Sequence, residues 1–176
     1  MPALTVIGYH GTTKDGAASI VASGFRLSTA REDWLGTGAY FFQDAPAHAL
    51  EWAKQRFGYD VAVVRAEILL DDCLDLLDLG WDSRLRTEYR RLEQEYIALG
   101  KKAPRQQNGA NVVDREIVDR LVSLLARRRR NIRNVRGAFV EGEPIFPSSA
   151  LYDRAHVQIA VRDTTLILTR EPWTTL

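Results

Sequence analysis

The feature that most constrains the fold is a strand, a helix and a second strand within the first forty-two residues. Leu4 to Tyr9 is apolar and partly β-branched, as in a buried strand. Ile20 to Phe25 has the pattern of a helix that ends in Gly24. The second strand, Leu35 to Phe42, contains two glycines, and glycine inside a strand marks a bulge or the close approach of another group. This segment therefore predicts a compact unit in which a ligand or another chain segment lies close to the strand backbone.

The candidate functional residues lie at the ends of these two strands. The first strand places His10, Gly11 and Thr12 at its C-terminal edge, where Gly11 lets a ligand approach the backbone. A flat amide such as nicotinamide could pair there with main-chain N–H and C=O groups. In the second strand Gly38 permits another close approach, and Tyr40 offers a rigid aromatic face suited to stacking on a pyridinium ring.

Each of these residues also has a structural interpretation. A single histidine at a strand end is commonly a hydrogen-bonded structural residue, and Tyr40-Phe41-Phe42 is typical of an ordinary core strand. The functional interpretation depends on a conjunction. His-Gly-Thr, a helix ending in Ser23-Gly24-Phe25, and Gly-x-Gly-x-Tyr-Phe follow one another in this order.

Because these three motifs follow one another in this order, the stretch from Tyr9 to Trp52 resembles the N-terminal half of the catalytic domain of ADP-ribosyltransferases. The similar branch contains the poly(ADP-ribose) polymerases and diphtheria-toxin-like enzymes, whose signature is His-Tyr-Glu. The resemblance implies that His10 hydrogen-bonds a ribose hydroxyl of NAD, the co-substrate. It also implies that the Gly11 backbone holds the nicotinamide amide and that Tyr40 stacks on the nicotinamide ring.

The same resemblance implies two further NAD contacts on a helix after Tyr40. In the polymerases these are a small hydroxyl residue and a second stacking aromatic, and the corresponding positions here fall at His48 and near Trp52. His48 departs from the small hydroxyl residue, and Trp52 is displaced by one position. The NAD-binding residues implied in this way are His10, Gly11, Thr12, Gly38, Tyr40, His48 and Trp52.

The third element of the signature is expected on a later strand. Ala155 to Arg162 alternates as a strand and carries Gln158 where the family carries glutamate, so the resemblance implies a His-Tyr-Gln variant. The amide of Gln158 can hydrogen-bond a ribose hydroxyl, but it offers no negative charge to a developing cation and cannot act as a general base. This difference speaks against processive polymer formation.

If catalysis needs a carboxylate, Glu141 and Glu143 are the nearest candidates in the sequence. They end the segment Arg136 to Pro144, which is typical of a strand running into a turn. By the resemblance, Pro144 to Ala155 then takes the place of an acceptor-recognition loop. The alternative is that both glutamates are solvated turn charges.

Composition favours one intracellular domain over residues 1–176. The chain has 176 residues, 45% of them hydrophobic and 27% charged, as in ordinary globular domains. Cys73 is the one cysteine, which fits a reducing compartment, and the N-terminus has no signal-peptide pattern, so we expect a cytoplasmic protein without a membrane span. Three scattered histidines suggest no metal site. A basic run is formed by Arg127 to Arg130, Arg133 and Arg136. It either binds RNA, DNA or an acidic partner surface, or it is the solvated end of a helix.

The predicted fold is a mixed α+β domain, an ADP-ribosyltransferase-like split β-sandwich of two short sheets packed face to face around the NAD cleft. Flanking helices and a helical insertion at about 80–130 complete it. The insertion contains helices at Arg84 to Leu99 and Val112 to Arg129 and a polar loop between them. The strands predicted to be central are Val61 to Leu70, Val135 to Glu141, Val157 to Arg162 and Thr165 to Thr169.

The resemblance implies mono-ADP-ribosyl transfer from NAD to a macromolecular acceptor, either protein or nucleic acid. A compact enzyme of this type is most similar to bacterial toxin or phage-defence transferases, which act beside a neutralising antitoxin or immunity protein. Two alternatives stay open. One is an NAD glycohydrolase toxin, in which water replaces the acceptor. The other is a catalytically inactive module that binds NAD, ADP-ribose or a partner protein.

Overall fold

The computed structural model describes residues 4–106 and 111–174, which form an α+β domain with seven strands and four α-helices. The strands are β1 (Leu4–Thr13), β2 (Ala39–Gln43), β3 (Val61–Leu70), β4 (Cys73–Asp75), β5 (Asn134–Phe139), β6 (His156–Val161) and β7 (Ile167–Trp173). The α-helices are α1 (Lys14–Ser23), α2 (Pro46–Phe57), α3 (Asp82–Ala98) and α4 (Val112–Arg127). Short 3₁₀ helices cover Leu79–Trp81 and Thr164–Leu166. Residues 107–110 of the predicted polar loop lie outside the described residues.

The seven strands form one mixed sheet in the order β4-β5-β6-β2-β1-β3-β7. Neighbouring strands are antiparallel except β4 and β5, which are parallel. The predicted α+β class is confirmed, but the strands join in a single hydrogen-bonded sheet instead of two. Three of the four strands predicted to be central, β3, β5 and β6, are interior, whereas β7 lies at an edge.

The connection between β3 and β4 forces this sheet to curl. Only Asp71 and Asp72 separate the two strands along the chain, although β5, β6, β2 and β1 separate them in the sheet. Three Cα steps from Leu70 to Cys73 span at most about 11 Å. Five strand spacings in a flat sheet would require about 24 Å. The two halves of the sheet therefore bend toward each other, and one curled sheet stands in place of the two separate sheets that the sequence predicts.

Asn134 fixes the curl from inside. It is fully buried, and its side-chain amide donates to the Leu69 carbonyl at 3.0 Å and to the Asp71 carbonyl at 3.1 Å. Asn134 begins β5, whereas Leu69 belongs to β3, so these bonds join strands that are not neighbours in the sheet. Arg133 adds ion pairs to Asp71 at 2.8 Å and to Asp163 at 2.9 Å.

The curl gives the sheet a concave and a convex face with separate cores. The concave core takes residues from both halves of the sheet: Val6, Ala39, Phe41, Ala66, Ile68, Ile159, Val161 and Leu166. On the convex face, α2 packs with Phe42 and Val63 through Ala49, and α4 packs on Val135 and Ala160. No helix in the described part of the chain is both long enough and apolar enough to cross a bilayer.

The first strand is longer than the sequence predicts. It pairs with β3 over its whole length, from Leu4 opposite Leu70 to Thr13 opposite Val61. Thr13 then caps α1, because its Oγ1 accepts the Gly16 N–H at 3.0 Å. His10, Gly11 and Thr12 consequently lie inside β1 and not at its C-terminal edge; the glycine in the pattern does not end the strand.

We expect substitution of Asn134 to show how much the curl depends on it. Asn134→Ala leaves two main-chain carbonyls without their donor and opens a cavity, so the free energy of unfolding should fall by about 2–4 kcal/mol. Asn131→Ala is the control, because Asn131 is exposed, and it should change the free energy of unfolding by less than about 0.5 kcal/mol. Urea denaturation of both variants measures the difference, and equal losses would contradict the role given to Asn134.

Candidate functional site

The candidate site begins where β1 and β2 part. The last register pair between these strands is Tyr9 with Phe42, and the next hydrogen-bonded pair in that register would be Gly11 with Tyr40. Instead, the Nδ1 of His10 lies 2.8 Å from the Tyr40 carbonyl oxygen. The imidazole N–H thus satisfies a carbonyl that the ladder leaves unpaired, and it holds the two strands together at the point of separation.

Gly11 presents its main chain to this parted edge. The Ile7 carbonyl accepts the Asp44 N–H at 2.9 Å on the β2 side. Because the N–H and C=O groups of every second residue in an antiparallel strand point to the same neighbour, those of Gly11 also face β2. The absence of a side chain has a separate cause, since a Cβ on Gly11 would clash with the Ala49 carbonyl of α2. The sequence predicts that a ligand approaches this glycine, whereas the group that lies against it in the structure is the main chain of α2.

His10 lies in the concave core. Its ring packs edge-on against Phe25, with ring centroids 5.3 Å apart, and lies 5.9 Å from Phe41. Burial lowers the pKa of His10, and the bond to the Tyr40 carbonyl partly opposes this shift. The ring is therefore neutral at physiological pH, with Nδ1 protonated and Nε2 an acceptor. Thr12 follows on the same face of β1, since strand residues alternate between faces.

Tyr40 supports the loop that precedes β2. Its hydroxyl donates to the Gly36 carbonyl at 2.7 Å and accepts the Leu35 N–H at 3.0 Å, and burial raises its pKa. Gly38 closes the same loop through two main-chain bonds to Ser28, and a Cβ on it would press against Ala160 of β6. Both residues thus have structural partners here.

A cavity of about 260 Å³ lies beside α2 on the convex face, a size suited to one flat ring. Its walls include three residues singled out in the sequence, His48, Trp52 and Glu141, together with Phe42 and His156, which were not. Trp52 is 44% exposed and offers an open ring face. The buried Nε2 of His48 has no hydrogen-bond partner among the described residues.

Gln158 lies on the convex face opposite Phe42 and is fixed by hydrogen bonds at both ends of its amide. The Trp34 indole N–H donates to its Oε1 at 2.7 Å. Its Nε2 lies 2.8 Å from His156 Nε2, and His156 Nδ1 lies 2.8 Å from the Arg154 carbonyl. Only one set of donors is consistent with all three contacts: Trp34 donates to Gln158, Gln158 to His156, and His156 to Arg154. Burial lowers the pKa of His156, which keeps the ring neutral and able to accept.

The residues brought together on each face differ from the sequence prediction. His10 lies on the concave side of the sheet, whereas Tyr40 and Gln158 lie on the convex side. A ligand that contacts both sides must therefore cross the parted edge between β1 and β2. Trp52 shares its cavity with Phe42 and not with Tyr40, so Phe42 is the nearer candidate for an aromatic partner across a bound ring.

Sequence reasoning missed Trp34, Phe42 and His156. His156 could have been found, because it stands two residues before Gln158 and therefore shares its strand face. Trp34 has no local signal. It covers Gly137, where a Cβ would touch the indole, and it meets Gln158 across 124 positions of sequence.

The helical insertion holds the loop that carries Trp34. Arg115 of α4 donates to the carbonyls of Thr29 and Ala30. Asp119, one turn further on, accepts from the Thr37 N–H at 3.4 Å and from Arg162 at 2.9 Å. The insertion therefore positions the loop between α1 and β2, and through Trp34 it also positions Gln158.

The segment after β5 forms an ordered exposed loop. Strand β5 ends at Phe139, so Glu141 lies beyond the strand, on the rim of the cavity. The Glu143 N–H donates to Asp153 at 2.9 Å, and Pro144 bridges to Tyr152. The loop is thereby closed at its base next to the cavity.

Other chemistries have little support in this part of the molecule. Among the described residues, no three His, Cys, Asp or Glu side chains come together in a way that could hold a metal ion. Burial raises the pKa of the Cys73 thiol to about 12, so it is not a thiolate at neutral pH. Comparisons with protein-family models and with curated proteins found no match.

Replacing Gln158 with a carboxylate should change the titration of His156. In Gln158→Glu, a negative charge replaces an N–H donor beside Nε2, so the imidazolium form is favoured and the pKa of His156 rises above its present lowered value. The His156 ring proton followed by NMR over pH gives the midpoint. Gln158→Leu is the control and should leave the pKa low, and an unchanged midpoint in Gln158→Glu would contradict the contact.

The buried histidines should make the fold sensitive to mild acid. Because the pKa of His10 is lowered in the folded state, the unfolded chain binds its proton first, at a pH near 6.5. The contribution of His10 to the free energy of unfolding is fully present above pH 6.5. As the pH falls below 6.5, this contribution decreases by at most about 1.4 kcal/mol per pH unit. Between pH 7.5 and about 5, the free energy of unfolding should decrease less steeply for His10→Gln than for the unchanged chain. Identical slopes would mean that His10 is not held neutral.

Proposed function

We propose that this chain is an NAD-dependent mono-ADP-ribosyltransferase that modifies a macromolecular acceptor, protein or nucleic acid, and that its curled sheet is a variant of the ADP-ribosyltransferase fold. The observation that carries the proposal is the convergence of three elements beside the parted edge. These are the main chain of Gly11, the cavity under Trp52 and the oriented amide of Gln158. The proposal extends to a toxin or defence effector with a neutralising partner.

The parted edge and the cavity fit the nicotinamide end of NAD. The main-chain N–H and C=O of Gly11 suit a carboxamide, which needs one donor and one acceptor side by side. Trp52 offers an aromatic face to the cationic ring. The Nε2 of His48, which has no hydrogen-bond partner among the described residues, adds a polar group at the position where the polymerases that the sequence resembles carry a small hydroxyl residue. His10 Nε2, across the parted edge, supplies an acceptor for a ribose hydroxyl.

The reaction breaks the bond between the nicotinamide nitrogen and ribose C1′. The bonding electron pair leaves with nicotinamide, which neutralises its ring and leaves cationic character on the ribose. An acceptor nucleophile then bonds to C1′ and releases its proton to solvent or to a base. Gln158 orients the ribose through the second lone pair of Oε1, since Trp34 takes the first. Positioning supplies most of the acceleration in this scheme, because no carboxylate lies at Gln158 to stabilise the cation.

Hydrolysis of NAD is the second candidate. It is favoured by Glu141, whose place on the cavity rim would let its carboxylate accept a proton from an attacking water. An inactive NAD-binding or ADP-ribose-binding module is the third outcome, consistent with a neutral residue at the third signature position.

Labelled NAD separates these functions. Incubation with NAD labelled on the adenylate phosphate, in the presence of cell lysate, should transfer label to protein or nucleic acid. Trp52→Ala removes the open aromatic face and should lower kcat/KM for NAD by about tenfold or more. Tyr59→Ala is the control, because Tyr59 follows α2, is 96% exposed and does not line the cavity. It should stay within about threefold.

Other outcomes of the same assay identify the alternative functions. Free ADP-ribose without labelled macromolecule means a glycohydrolase. Intact NAD with saturable NAD binding means a binding module. Equal losses in Trp52→Ala and Tyr59→Ala would place the NAD site elsewhere on the molecule.

A further inference from the structure

A second cavity is lined in part by Trp34, whose indole N–H bonds Gln158. It encloses about 880 Å³ between α3, α4 and the chain after α3, within the range of sites that hold nucleotide-sized ligands. Trp34, Tyr89 and Phe139 provide aromatic walls, and the rings of Trp34 and Phe139 lie 5.0 Å apart. The NAD-site residues discussed above do not line it.

Three exposed arginines stand around this cavity: Arg86, Arg90 and Arg105. None of them forms an ion pair with a carboxylate in the described part of the chain. Other arginines of the same helix pair are matched, since Arg91 pairs with Glu88 at 2.6 Å and Arg120 with Glu95 at 2.8 Å. The cavity wall therefore carries three arginines against one carboxylate, that of Asp114, and its charge is positive.

Polar groups in the cavity wall are available to hydrogen-bond the edge of an aromatic ligand. Asp114 and Gln106 both line the wall, and Gln106 Oε1 accepts the Val113 N–H at 3.1 Å, which places its amide. A carboxylate can accept from the amino group of cytosine, and a glutamine amide can bond adenine. Aromatic walls, edge acceptors and guanidinium groups are the combination that a base with its phosphates requires.

We infer that this cavity binds a nucleotide unit of a single-stranded nucleic acid, which is the acceptor of the transferase. The assignment rests on the proposed function. The base stacks on the aromatic walls, and the phosphates pair with Arg86, Arg90 and Arg105. A bound strand continues past Trp34 toward Gln158, which brings a nucleophile of the nucleic acid, a base nitrogen or a hydroxyl, to the ribose. Aromatic walls beside unpaired arginines favour a nucleic acid over a protein acceptor, because every base has a face that can stack on them.

Binding of fluorescent single-stranded RNA and DNA of about twelve nucleotides, measured by anisotropy without NAD, tests the site. Arg90→Gln and Tyr89→Leu should each weaken binding by about tenfold, and Arg90→Gln should reduce the salt dependence by about one phosphate contact. Arg84→Gln is the matched control, since Arg84 lies on the same helix but stacks over Trp81 outside the cavity. Arg128→Gln tests the basic run at the end of α4. Both controls should bind within about twofold.

Several results would overturn the inference. Equal weakening in Arg84→Gln or Arg128→Gln would mean diffuse charge and no defined site. Displacement of the oligonucleotide by saturating NAD would make the cavity part of the co-substrate site. Mononucleotides binding as tightly as the oligonucleotides would point to a free nucleotide, and label appearing on protein alone would name the other acceptor class.

Failure of this inference can be distinguished from failure of the proposed function. If the protein consumes NAD but does not bind the oligonucleotides, the acceptor site is wrong and the NAD chemistry still holds. Oligonucleotide binding that depends on Arg90 while NAD stays intact keeps the nucleotide site and removes the transferase. Because Arg90 is exposed, its substitution does not endanger folding, so a negative result with Arg90→Gln counts against the site.

Discussion

The two-residue connection between β3 and β4 is the constraint on which the rest of the molecule depends. It brings the end of β3 next to β5, although four strands of the sheet lie between β3 and β4. The sheet can satisfy it only by curling, and Asn134 converts that proximity into buried hydrogen bonds. Asp72 adopts a left-handed backbone, with φ of 46°, to make the turn, and Asp tolerates this conformation better than most residues. Concave core, convex helices and site all follow from this curvature.

The separation of β1 and β2 lies near the middle of the sheet. Strand β2 is the fourth of the seven strands, and its ladder with β1 ends after Tyr9. Strand separation normally leaves main-chain groups unpaired, which costs about 1–3 kcal/mol for each buried group. His10 removes part of this cost by bonding the Tyr40 carbonyl. A ligand amide at Gly11 would remove another part, so the structural role of His10 and a binding role at the same edge are compatible.

Local patterns predicted the elements well and their assembly poorly. Val61 to Leu70 forms a strand with the predicted bounds, and the second insertion helix starts at Val112 as predicted. The single curled sheet could not be read from these patterns, because it depends on pairings between distant segments. Within the site, Gly11 carried a genuine signal of close backbone approach, but the approaching group is α2. Trp34 escaped notice because its partner, Gln158, is remote in sequence and no periodicity links them.

The neutrality of the network around Gln158 limits the chemistry that this face can perform. The indole, the amide and the imidazole form a directed chain in which every group is uncharged, and the lowered pKa of His156 preserves that state. A carboxylate at this position would accept from Trp34 equally well but could not donate to a neutral His156 Nε2. The glutamine therefore matches its two neighbours, and a glutamate would need a protonated histidine beside it. Cationic character on a bound ribose would meet fixed dipoles instead of a charge, an arrangement in which catalysis depends on preorganised geometry more than on Coulomb attraction.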